Sequence, residues 1–134
     1  MDDDLTPRQK EIKQKFIEAR GFWREESWGD LLRLDPDFFE AYTIYSSKPW
    51  LKGVLPPKIK ELIYIAIDAS CTHLYTRGIQ VHIKNALKHG ATKEEIMEVF
   101  ELVSVLGIHS LNIGIPILLE ELRAAGKEIP ELGE

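Results

Sequence analysis

The sequence predicts an all-α fold, a single-domain helical bundle of about six helices, and three features carry that prediction. Apolar residues recur at three- and four-residue spacing, as in Phe38, Phe39, Tyr42 and Tyr45. Proline-led start signals and glycine stops cut the chain into helix-length pieces. No segment carries the alternation of a half-buried strand.

The elements follow in order. Thr6-Pro7 supplies an N-cap with proline at the first helical position, and Gly21 a stop. Helix one is therefore expected at about 7–20, strongly charged, with residues 1–21 peripheral to the domain. Asp35-Pro36 repeats the start signal for DFFEAYTIYSS, and Trp50-Leu51-Lys52-Gly53 is expected to break the chain. Pro56-Pro57 opens a third helix at about 57–71, whose Ile59, Leu62, Ile63, Ile65, Ala66 and Ile67 leave little polar surface. That helix is expected at the centre of the domain. Residues 77–89 form a fourth, ended by Gly90. Thr92-x-x-Glu95 is a capping box opening a fifth at about 93–106, and Gly107 separates it from a last helix at about 109–125.

The chain has 134 residues, 44% hydrophobic and 29% charged, as expected of one folded domain spanning 1–134 rather than a disordered segment. A net charge of −5 with no basic stripe argues against nucleic acid as a partner. The opening MDDDLTPRQKEIKQK has no apolar run, so neither a secretory signal nor a transit peptide is predicted. The single cysteine, Cys71, allows no intramolecular disulfide and suits a reducing cytoplasm, the expected location. The apolar run Leu102–Leu119 approaches the length of a membrane span. Ser104, His109, Ser110 and Asn112 lie within it, and Gly107, Gly114 and Pro116 interrupt it. A buried, broken helix pair is expected there, with no membrane segment. The excess of apolar helix in so short a chain predicts a homo-oligomer.

Candidate chemistry concentrates around the third helix. At about 100° per residue, Glu61, Asp68 and Thr72 fall on one stripe, flanked by Tyr64 and Cys71. Buried carboxylates need partners, and burial raises their pKa toward the range useful for proton transfer; the same stripe could instead face water. The connector Cys71-Thr72-His73-Leu74-Tyr75-Thr76-Arg77-Gly78 leads into a helix N-terminus, where free amides and Arg77 could hold a carboxylate and His73 or Tyr75 could donate a proton. The plainer alternative is that His73 caps the preceding helix and Tyr75 packs. His82 lies at the edge of its helix's apolar arc, a position compatible with a satisfied boundary residue or with a catalyst. The four histidines at 73, 82, 89 and 109 give no metal-ligand spacing, and no phosphate loop or dinucleotide fingerprint is present. No metal and no cofactor is expected.

The segments LDPDFFEAY, LPPKIKELIYIAIDAS and VHIKNALKHGATKEEIMEVFELVSVLGIHSLNIGIPILLEEL resemble the carboxymuconolactone decarboxylase / alkylhydroperoxidase D-like superfamily over residues 34–123. The block H-x-x-x-A-L-x-x-G-A-T-x-E-E-I-x-E-V carries the resemblance most specifically. It implies an all-helical subunit assembling as trimers or hexamers. In the alkylhydroperoxidase D-like subgroup, C-x-x-C precedes a histidine that matches His82, and a glutamate matches Glu61. The two cysteine positions are held here by Tyr75 and Gly78, so the chain resembles the subgroup without the C-x-x-C motif. Dithiol peroxidase chemistry needs two thiols. The resemblance to the decarboxylases implies instead a cofactor-independent, lyase-type acid–base enzyme acting on a small carboxylated lactone or acid. Glu61, His82 and Tyr75 are then the candidate catalytic residues, and Arg77, His73 and Asp68 the candidate substrate-binding ones. Two alternatives stand beside it: a peroxiredoxin-like, thiol-dependent protein using Cys71, and a non-catalytic small-molecule-binding oligomer.

Overall fold

The computed structural model describes residues 4–128. Seven α-helices and one 3-10 turn occupy them, with no strand among the described residues. The helices are α1 (Pro7–Arg20), α2 (Glu25–Leu34), α3 (Pro36–Lys52), α4 (Pro57–Ala69), α5 (Thr76–Lys88), α6 (Lys93–Ser104) and α7 (Ile108–Ala124); the 3-10 turn, Val105–Gly107, joins α6 to α7. The chain divides into two compact units that part between Leu55 and Pro56.

In the first unit, Thr6 and Gln9 close a capping box on α1, and Gly21 ends it in the left-handed conformation at φ 76°. α1 is not peripheral to this unit. Its Ile12 and Phe16, one turn apart, are 1% exposed and form the core with Leu5, Leu32 and Phe39. Two apolar residues on one face suffice, because the aromatic rings gathered around Phe16 supply the volume. Phe22, Trp23, Trp28 and Phe39 all lie with ring centroids 5.6–5.9 Å from it.

α2 is the helix that the sequence signals omit. Arg24 at its N-cap makes no side-chain cap bond, and Gly29 sits mid-helix. A Cβ at Gly29 would approach Glu25 Oε1 to 2.4 Å, because Glu25 and Arg33 reach across it to pair at 2.6 Å. α3 runs through the expected break at Trp50 to Lys52, with Pro49 inside it. Proline removes one backbone bond there, and the residue that loses its partner, Tyr45, is exposed, so water can take its carbonyl.

In the second unit, α4 packs most extensively on α5 and next on α6. Ile65, Ala86, Ala91 and Ile96 form its core. α4 stops two residues short of the expected end: Ser70 turns extended, and its hydroxyl donates to the Ile67 carbonyl at 2.8 Å. Cys71 and Thr72 therefore lie in the turn, and Thr72 drops out of the polar stripe.

The expected burial of Leu102–Leu119 does not occur within the chain. α7 packs extensively only on the adjoining 3-10 turn, and Leu106, Ile108, Leu111, Ile113, Ile115, Ile117 and Leu118 are all exposed. No buried helix pair forms, because Gly107 and the turn carry the helical run onward instead of folding it back. By length and composition alone, Lys93–Ala124 is apolar enough to cross a membrane.

Phe39 is fully buried against Phe16, Trp23 and Trp28. Phe39→Ala is expected to lower stability by about 3–5 kcal/mol, read from the denaturation midpoint of the first unit's tryptophan fluorescence.

Candidate functional site

The buried face of α4 is its polar one. Lys60, Glu61, Ile65 and Asp68 are buried, while Ile63 and Ile67 are about half exposed. The facing stripe of α5 is Gly78, His82 and Ala86, spaced four residues apart so that each lies one turn beyond the last. The connector folds α5 back along α4, and the tie is a backbone bond in which Tyr75 N donates to the Asp68 carbonyl at 2.8 Å. The N-terminal part of α4 thus meets the C-terminal half of α5. Asp68, near the end of α4, meets Gly78 in the first turns of α5.

Two carboxylates and two imidazoles converge in this seam. His82 Nδ1 lies 2.5 Å from Glu61 Oε2. Asn85 Nδ2 donates to the other Glu61 oxygen at 3.3 Å. With Glu61 as a carboxylate, Nδ1 carries the hydrogen and Nε2 is the free basic edge of the ring. The Tyr64 ring stacks on His82 with centroids 4.6 Å apart and planes 12° from parallel. On the far edge, His82 Nε2 stands 3.8 Å from Asp68 Oδ2, and Asp68 Oδ1 stands 3.5 Å from His73 Nε2. Burial pushes the Asp68 carboxyl above its ordinary value, against the opposing pull of His82 and His73.

Room for Asp68 comes from Gly78. A Cβ at position 78 would fall 1.9 Å from Asp68 Oδ2 and 2.5 Å from Tyr75 Cδ1. No side chain fits there while the carboxylate stays where it is. The space beside Gly78 is filled, from across the seam, by the Asp68 carboxylate.

Of the candidates named from sequence, the structure brings Glu61, Asp68, His73 and His82 into one cluster. Tyr75, 40% exposed, joins its rim through the His73 ring, centroids 5.7 Å apart. Arg77 is exposed in the first turn of α5, with no ion pair or hydrogen bond to a described residue. Cys71 is exposed in the turn. Asn85 and Gly78 were not picked as site residues, although both share the His82 face at spacings of three and four, which is the signal that would find them. Among the described residues no three histidine, cysteine or carboxylate side chains are placed to hold a metal ion.

The chain belongs to the carboxymuconolactone decarboxylase family, whose model matches residues 36–107 and so includes the whole cluster. Among solved structures, it is similar to a protein from Burkholderia xenovorans provisionally assigned as a gamma-carboxymuconolactone decarboxylase subunit. The two are 52% identical with a TM-score of 0.83, over 90% of this chain and 48% of that one. This chain thus spans about half the length of that relative. No curated protein matches it significantly.

In an open helix, Gly78→Ala would add helix propensity and stabilise by about 1 kcal/mol. Here the added methyl group meets the Asp68 carboxylate, so the variant is expected to be less stable than the parent, by about 1–3 kcal/mol. Chemical denaturation gives the sign, which alone decides.

Proposed function

We propose that this chain is a subunit of a cofactor-independent, lyase-type enzyme that uses acid–base chemistry on a small carboxylated lactone or acid. One observation carries the reading: a buried histidine held through Nδ1 by a buried glutamate, leaving Nε2, 3.8 Å from Asp68 Oδ2, without a hydrogen bond. Such a pair fixes the ring's tautomer and orientation, as a general acid or base requires.

In a decarboxylation, the carbon–carbon bond to the departing carboxylate breaks, and its electron pair passes into the adjoining conjugated system. A proton must then reach carbon. His82 is the donor in this reading and Glu61 holds it in place, with Tyr75, on the rim beside His73, as a further candidate acid. Arg77, exposed at the N-terminus of α5, receives the substrate carboxylate through charge-assisted bonds. Membership of the family and the name given to the Burkholderia relative both support this choice of reaction. The thiol-dependent reading has less support: Cys71 stands exposed in the turn, and the space at position 78 holds the Asp68 carboxylate.

The subunit assembles, we infer, as a homo-oligomer through α7 and the neighbouring apolar surface. An exposed helix carrying Leu111, Ile113, Ile115, Ile117 and Leu118 is a large apolar area to leave in water. His109, Ser110, Asn112 and Pro116 along the same helix fit a protein interface better than a bilayer. The trimer or hexamer implied by the family resemblance is the expected size. Static light scattering at micromolar concentration should give an integral multiple of 15.4 kDa; a stable monomer would refute the assembly.

Screening purified protein against small carboxylic lactones, with organic hydroperoxides alongside, tests the reaction. His82→Ala is expected to abolish lactone turnover with helicity unchanged. Arg77→Ala should mainly raise KM, by about ten- to a hundredfold, since charge-assisted bonds are worth roughly 1.5–3 kcal/mol. Turnover of hydroperoxides alone would place the thiol reading first.

A further inference from the structure

We propose that Asp68 and His73 form a proton path between the buried His82 ring and solvent. The inference rests on the acid–base reading of Glu61 and His82 and assigns the neighbouring acid a separate task. A histidine that gives up a proton in each cycle must regain one, and the protein around His82 leaves little direct route. Its side chain is 10% exposed, Nδ1 is engaged by Glu61, and one ring face is covered by Tyr64. The remaining edge, Nε2, faces Asp68.

Asp68 is suited to pass a proton rather than to hold a structural charge. Its two oxygens look toward two different imidazoles, Oδ2 toward His82 at 3.8 Å and Oδ1 toward His73 at 3.5 Å. Neither distance is a hydrogen bond, so the carboxylate is not locked onto either ring, and a modest rotation closes each gap in turn. His73 completes the path, because its side chain is 53% exposed while that of Asp68 is 9% exposed. Burial also pushes the Asp68 carboxyl above its ordinary value, so that a proton in passage is held more readily there than on an exposed carboxylate.

Each step balances. In the outward direction, His82 imidazolium gives its Nε2 proton to Asp68 Oδ2, leaving a neutral ring and a carboxylic acid. Rotation of the carboxyl group presents that proton to His73 Nε2, restoring the carboxylate and forming an imidazolium at His73. His73 then releases its Nδ1 proton to water. Reprotonation of His82 runs the same steps in reverse. Gly78 belongs to the device, since any Cβ there would evict Asp68 Oδ2. Asp68 and His73 act through His82 and are not themselves catalytic residues.

The test needs no substrate. With histidine-selective 15N labelling of the full chain, relaxation dispersion measures how fast His82 interconverts between neutral and charged forms, at the midpoint of its own titration in each variant. Asp68→Asn keeps the shape of the side chain and removes the carrier; it is expected to slow interconversion at least tenfold. His73→Gln, at an exposed position where folding is not at risk, is expected to slow it at least threefold. Rates within twofold of the parent in both variants would overturn the path. Because turnover is measured separately, a relay that fails while His82→Ala still abolishes lactone turnover leaves the acid–base reading standing. Slowed interconversion in a protein that turns over no lactone removes that reading and keeps the path.

Discussion

The second unit is organised around two acids buried in the seam between α4 and α5. An ionised carboxylate taken out of water costs several kcal/mol even after the surroundings relax, so neither Glu61 nor Asp68 would stay there without partners. Glu61 is held by His82 and Asn85, one on each oxygen. Asp68 has weaker company, two imidazoles at longer range, and burial pushes its carboxyl above its ordinary value. The seam therefore holds one acid firmly and leaves the other adjustable.

This arrangement fixes the orientation of α4. Once the polar stripe faces α5, the isoleucines on the opposite side must face outward, and Ile63 and Ile67 do. No residue of α7 is buried, and most of its apolar side chains are exposed. Apolar surface on this scale is stable in water only when something else covers it. Burying the acids of α4 turns part of its apolar surface outward.

The connector between α4 and α5 shows how a few residues adjust a shared scaffold. Ser70 turns α4 off, Leu74 takes a left-handed φ of 46°, and the amide of Tyr75 returns to the Asp68 carbonyl. Glycine at position 78 then lets a carboxylate from the opposite helix reach the histidine edge. A larger residue there would close that approach.

The sequence by itself determined that the chain is helical and where most helices start, because caps, prolines and glycines act within a few residues of themselves. Thr6-Pro7, Asp35-Pro36 and Thr92-x-x-Glu95 are all local devices, and all mark real starts. Helix α2 escaped because it has no such cap and carries Gly29, which only the Glu25–Arg33 pair above it explains. The residues Glu61, Asp68, His73 and His82 stood out as candidates through their type and spacing. Which way they face did not, since periodicity finds a stripe on a helix but cannot say whether it meets water or a partner. Hydrophobicity alone would put the isoleucines of α4 inside and its acids outside. Tertiary structure instead buried the acids beside Ile65 and left Ile63 and Ile67 about half exposed, because an imidazole and an amide across the seam offset the desolvation of Glu61, and those partners lie about twenty residues away in sequence, beyond the reach of any local signal.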